Sequence, residues 1–186
     1  MGVLHLIPIY CGTSGDLLAP LAVHLRDVLG LKIELHPPSF DPELAFDLSR
    51  GQYNSRTLLA QLLRNSPKGA TRILGVAGVD LFVPVLTYVF GEAQLDGRAA
   101  VVSTCRLDCQ LYGLPPNRNL LDERLRKEAI HELGHTCGLL HCHQHPCVMM
   151  SSTYVEGIDL KSDRFCPRCH ERFTKAASHF AASEPG

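Results

Sequence analysis

The apolar residues of this chain switch repeatedly between two periods. Residues 3–9 form a short apolar run of strand length, and residues 12–16 read as loop. Leu17, Leu18, Leu21, Leu25 and Leu29 then recur at helical spacing. Gly30 stands where a left-handed residue ends such a helix. Residues 31–35 alternate as a strand does and stop at Pro37-Pro38. Leu58, Leu59, Leu62 and Leu63 mark a second helix after polar Asn54 and Ser55. Residues 73–83 are almost continuously apolar, as in a strand buried on both faces. Residues 86–95 and 99–107 read as a strand pair around Asp96-Gly97, a hairpin signal. Beyond Pro115-Pro116 a long helical pattern starts near Asn119, read as its N-cap with Asp122 three residues on, and runs to about Cys137. Residues 139–165 show little periodicity. A last helix, 165–180, opens at Cys166-Pro167 with proline in its first turn. Strands and helices alternate through the first two thirds, which predicts an α/β fold, a sheet with helices packed on it.

Composition sharpens this outline. At 186 residues the chain is expected to be one domain with its own core. With 45% hydrophobic and 20% charged residues it is an ordinary globular sequence, which excludes disorder. A net charge of −1 gives no electrostatic reason to expect nucleic acid or an anionic membrane as partner. Residues 73–91 hold one charge, Asp80, and are long enough to span a bilayer. Gly75, Gly78 and Pro84 interrupt them, however, and two buried strands explain them better. Residues 1–7 lack the basic segment and small-residue cleavage site of a signal peptide. The expected address is the cytoplasm, where thiols stay reduced. The unusual numbers are 8 Cys and 10 His, with most of the cysteines crowded among histidines in the last third. That distribution points to metal.

His131 and His135 lie four apart on the predicted long helix, so their imidazoles share one face one turn apart and can hold one zinc ion. Glu132 sits about 100° round the helix, where a carboxylate serves as general base to a zinc-activated water without being a ligand. On a continuing helix His141 would lie about 9 Å beyond His135 and on the wrong side. Gly138 lies between them and can take the left-handed conformation that turns the chain back. This is the H-E-x-x-H-x-x-G-x-x-H pattern of the metzincins. Two satisfied surface histidines would explain His131 and His135 alone, but not the glycine and third histidine at fixed offsets.

Cys142, Cys147, Cys166 and Cys169 have the spacing C-x4-C-x18-C-x2-C. Four thiolates complete a closed, structural zinc site, so two zinc ions per chain are expected. The competing reading is two disulfides in a secreted protein. His143, His145 and His170 stand near, but four sulfurs need no substitute. Cys11, Cys105, Cys109 and Cys137 read as ordinary thiols.

Together, His131-Glu132, His135, Gly138, His141-Cys142, Cys147-Val148-Met149 and Cys166-Pro167-Arg168-Cys169 resemble the archaemetzincins. Weaker similarity extends upstream through Gln52-Tyr53 and residues 73–107. The resemblance implies a compact metzincin-like metalloprotease fold with a twisted mixed sheet. An upper lobe, 1–138, would hold the active-site helix, and a lower lobe, 139–186, the Met-turn and the four-cysteine zinc. Met149 matches the Met-turn position, with Met150 adjacent. Some metzincins carry a tyrosine ligand two residues later, where this chain has Ser151; Tyr154 is off-pattern. The function implied is a zinc metallopeptidase acting on peptide or protein substrates, and a monomer is expected. The substrate is expected to lie along an exposed strand edge, with 86–107 the candidate. The alternative is a catalytically weak or inactive two-zinc module that binds peptides or proteins. A zinc-ribbon nucleic-acid module is a third class, disfavoured by the charge.

Overall fold

The strand and helix periods lead directly to the elements of the computed structural model, which describes residues 2–181 (for 13–15 and 178–181 the backbone alone). Residue 1 and the last five residues of the expected lower lobe lie outside the described residues. Five strands form the main sheet: β1 (Val3–Ile9), β2 (Lys32–Leu35), β5 (Arg72–Ala77), β7 (Gly91–Ala93) and β8 (Ala99–Ser103). Their order is β2-β1-β5-β8-β7, with β7 alone antiparallel and on an edge. A small second sheet joins β3 (Phe46–Asp47), β4 (Gln52–Asn54) and β6 (Leu81–Phe82).

Alternation divides the side chains between two layers. Leu4, Leu6, Leu74, Val76, Ala100 and Val102 face a core shared with helices α1 (Leu18–Leu29) and α3 (Arg118–Thr136). Ile7, Ile9, Ile73, Ala99 and Val101 face a second core with α2 (Ser55–Arg64). Every residue of β5 and β8 is buried, as sheet centres between two helical layers require. Gly30 ends α1 at φ 65°, and the Asn54 side chain caps α2 through the amides of Arg56 and Thr57, both as the sequence predicts.

Three expectations are corrected. The strand foreseen over 73–83 is two strands in different sheets. Gly78 passes so close to the Tyr10 carbonyl that any Cβ would collide with it, and there the chain leaves the main sheet to pair Leu81 with Tyr53. The hairpin is real but short. Arg50 Nη2 donates to the Leu86 and Thr87 carbonyls (2.8 and 3.1 Å) and Gln52 Nε2 to Thr87 O (3.0 Å), so residues 83–90 are held mostly off the ladder. Finally, α3 starts two residues earlier than expected. Asn117, not Asn119, accepts the Leu120 amide at 3.1 Å, and Asp122 pairs with Arg126 one turn on.

From Arg124 onward α3 is buried almost all round, so it shows no polar stripe. Its charged residues find partners across the core: Arg124 makes a bidentate pair with Asp159 at 2.7 Å. Asp159 lies on α4 (Val155–Leu160), a helix the sequence did not reveal because only Val155 and Ile158 of its six residues are buried. The last helix, α5 (Pro167–Ala181), matches its prediction.

Candidate metal centres

The end of α3 explains how three histidines meet. Gly138 has φ 74°, its amide bonds His135 O (2.9 Å), and the Leu139 amide bonds Gly134 O (3.1 Å). These two bonds are a Schellman motif, which stops the helix and reverses the chain. His141 therefore returns to the face carrying His131 and His135, and its ring lies 5.3 and 5.0 Å from theirs, centroid to centroid.

Each helix histidine is oriented through its other nitrogen. His131 Nδ1 bonds Val148 O at 2.9 Å and His135 Nδ1 bonds Leu139 O at 2.7 Å. A ring nitrogen beside a carbonyl must carry the proton, so both Nε2 atoms are left as bare lone pairs. Those two atoms face each other at 3.1 Å. Two acceptors at that distance are satisfied by a cation and not by each other, so the donor set fits a metal ion. The ligand atoms of all three histidines lie within 4.8 Å of one another. Burial pushes the His131 imidazole well below its usual range, with Lys161 and His135 adding to it. Both neighbours thus favour the neutral, ligating form.

Of the two adjacent methionines, Met150 is half-exposed, whereas Met149 is fully buried against α3. Its sulfur lies so close to Gly134 that a Cβ there would overlap it. Gly134→Ala should therefore lower stability by about 1–3 kcal/mol in a thermal melt, although alanine alone would favour the helix.

Glu132 projects beside the triad against the edge strand. A Cβ on Gly91 would come within 2.7 Å of Glu132 Cγ and of the Val101 carbonyl, so this close approach requires glycine. Burial raises the Glu132 carboxyl well above its usual range, Glu128 raises it further, and Lys161 opposes. A cleft of about 370 Å³ opens along this face, lined among others by Tyr88, Phe90, Glu128, Glu132 and Tyr154. A second hollow, about 350 Å³, shares Gly91, His131, Glu132 and His141 with it and reaches Ala93 and His135.

Glu128 and Lys161 form an ion pair at 2.6 Å, with side chains 5% and 1% exposed. Neither residue stands out in the sequence; one turn of helix places Glu128 beside Glu132, but its partner comes from 33 positions away. Lys161→Met leaves the Glu128 charge buried and unpaired and should cost about 3–5 kcal/mol. Denaturant midpoints check this, and Glu128→Gln on the same chain should recover most of the loss.

The four cysteines converge as the spacing predicts. Their sulfurs all lie within 4.8 Å of one another, and Cys142 Sγ and Cys166 Sγ are 3.9 Å apart. Sulfurs on a tetrahedral zinc, with bonds near 2.3 Å, stand roughly 3.8 Å apart. Two backbone amides point at sulfur, Gln144 N at Cys142 (3.4 Å) and Cys166 N at Cys147 (3.3 Å), as they do toward thiolates. Burial alone would raise the Cys166 thiol, yet hydrogen bonds from Cys169, Cys147 and Cys142 bring it below its usual value. The neighbouring His145 instead meets Leu160 O at 3.1 Å.

Comparison with known proteins decides the family. The model of peptidase family M54 matches residues 39–175. The archaemetzincin of Methanocaldococcus jannaschii is 42% identical over 156 residues, covering 84% of each chain. The chain belongs to the archaemetzincin family. That of Pyrococcus abyssi is 36% identical over 187 residues, covering 94% of this chain and 96% of its own. The crystal structure of the Methanopyrus kandleri archaemetzincin superposes with a TM-score of 0.83 at 36% identity, over 95% and 96% of the two chains. The metzincin-like fold expected from the sequence is thus the fold observed. As an archaemetzincin the chain is a zinc metallopeptidase, and its substrates are peptides or proteins. Among the described residues, no helix is long and apolar enough to cross a membrane.

Proposed function

We propose that His131, His135 and His141 hold the catalytic zinc, that Cys142, Cys147, Cys166 and Cys169 hold a structural one, and that Glu132 is the general base of peptide hydrolysis. The observation that carries this reading is the pair of facing Nε2 lone pairs with both Nδ1 protons committed to carbonyls, next to a buried carboxylate in a cleft. Zinc held there supplies Lewis-acid chemistry, acidifying water and polarising a carbonyl.

The chain's own residues do the rest. Glu132 takes the proton of the attacking water on a carboxylate oxygen and passes it to the leaving amine. Its raised affinity for a proton suits that relay. Phe90 O and Gln94 N are bonded to β8, so alternation turns the amides and carbonyls of residues 91 and 93 outward from the sheet edge. An extended substrate can pair with them across both hollows, its scissile bond beside Glu132. The Val148 carbonyl orients His131, and Met149, buried against Gly134, serves as the apolar floor. The lobes 1–138 and 139–186 then act as one domain closing on the cleft from two sides. The buried core that joins Leu4 and Leu74 to Val148, Met149 and Phe173 supports this. We further propose a monomer in the cytoplasm with no nucleic-acid partner. Four thiols gathered at one point suit a reducing compartment, and the net charge of −1 offers phosphates little attraction.

The test is cleavage of an unfolded protein substrate by the purified chain, followed by mass spectrometry of the products. Cleavage should stop with a zinc chelator and return with added Zn²⁺. Binding of the substrate without cleavage in the zinc-loaded protein would instead support the two-zinc binding module.

A further inference from the structure

Among the described residues, His5, Glu34 and His36 make a third group of metal-type ligands, outside both zinc sites. It arises from strand register. β1 and β2 run parallel with His5 opposite Glu34, so both side chains leave the same face of the sheet side by side. His36 lies two residues beyond Glu34 and therefore on that face. Its amide bonds the Leu6 carbonyl at 2.9 Å, which extends the ladder past the end of β2.

The three ligand atoms point at one spot. His5 Nδ1 and His36 Nε2 are 2.5 Å apart, and Glu34 Oε2 lies 3.7 and 3.8 Å from the same two nitrogens. The other carboxylate oxygen, Oε1, accepts from Lys32 Nζ at 2.7 Å, so Oε2 is the one left to face the imidazoles. Ligand atoms around a tetrahedral dication with bonds near 2.1 Å stand roughly 3.4 Å apart. The Glu34 distances are close to that, and a small rotation of the His36 ring opens the N···N separation to it. The catalytic triad shows the same gathering, with nitrogens 3.1 Å apart. His5 is 4% exposed, which makes it a fixed anchor, while the Glu34 and His36 side chains are partly open to solvent. Burial, then His36, hold the His5 imidazole below its usual range and so in the neutral form that binds metal.

We propose that His5, Glu34 and His36 bind a third divalent cation of the zinc class, which clamps the edge strand β2 onto β1. Two imidazoles and one carboxylate select a first-row transition dication over Ca²⁺ or Mg²⁺, which prefer all-oxygen sites. With three protein ligands and an open side, the site binds more weakly than the four-sulfur one. β2 is the edge of the main sheet opposite β7, so the site lies apart from the peptidase cleft.

Calorimetric titration of Zn²⁺ into the full chain already carrying two equivalents tests this. The expected result is a third event of one equivalent, absent in His36→Ala and weakened in the isosteric Glu34→Gln. Both variants should keep two zinc ions and wild-type peptide cleavage. In a crystal grown with excess zinc, an anomalous peak should fall between His5 and His36. A titration that shows no third event overturns the proposal. So does a third event of wild-type strength in Glu34→Gln, which would put the extra cation elsewhere, whatever the folding of the alanine variant.

Discussion

Replacing Glu132 with alanine should lower peptide cleavage by about 100- to 10,000-fold, the range a positioned general base contributes, while both zinc equivalents remain. The separation follows from geometry. Glu132 is 6% exposed and stands beside the ligand face, but it is not one of the three residues whose ligand atoms converge. Its removal takes away the proton acceptor and leaves the nitrogens oriented by Val148 O and Leu139 O. Glu132→Gln should lose as much, because the amide keeps the shape against Gly91 but cannot take the proton. Rates on a defined peptide, with zinc measured by plasma mass spectrometry on the same samples, read both quantities. Cleavage by Glu132→Ala at the wild-type rate would remove the general base from the mechanism.

The second large effect comes from a residue that never approaches the cleft. Cys166→Ser should reduce the zinc content from two ions to one or none, abolish cleavage and open the chain beyond Gly138 to added protease. A structural four-ligand zinc supplies about 10 kcal/mol or more of apparent folding free energy. A whole domain is stable by only about 5–15 kcal/mol, so the loss exceeds what the rest of the lower lobe can absorb. Apart from α4 and α5 that segment is turns, held by bonds such as Cys142 N to Met149 O at 2.9 Å. The same segment carries His141 and Met149, so the catalytic triad loses a ligand and its floor together. Limited proteolysis with mass mapping, beside metal analysis, checks this. A Cys166→Ser chain that kept two zinc ions and full activity would mean that the four sulfurs hold no metal.

The peptidase site was legible because most of it is local. His131, Glu132 and His135 are related by one helical turn, and Gly138 by a single end-of-helix motif, so spacing alone sets their geometry. The four cysteines were legible for a different reason. Thiols at short intervals among histidines have few uses other than metal. The period of 3.6 likewise marked α1 and α2, alternation marked β2, and an apolar run marked β1. What stayed hidden depends on contacts between elements. Nothing near Gly78 says that the apolar run 73–83 must change sheets, because its close neighbour there is the Tyr10 carbonyl, just past the end of β1. The start of α3 was misplaced since both Asn117 and Asn119 are competent caps, and only the fold chooses which one meets a free amide.

Sequence by itself thus determined the chemistry: which residues can bind zinc, which carboxylate can move a proton, and where the chain turns to bring them together. Tertiary structure alone decided the surroundings of that chemistry. It put β7 on the sheet edge beside the cleft, set Gly91 against Glu132, paired Glu128 with Lys161, and laid His5 beside Glu34 and His36. Each of these depends on strand register or helix packing between distant segments. Periodicity reports which face of an element is buried; it carries no information about which other element will cover that face.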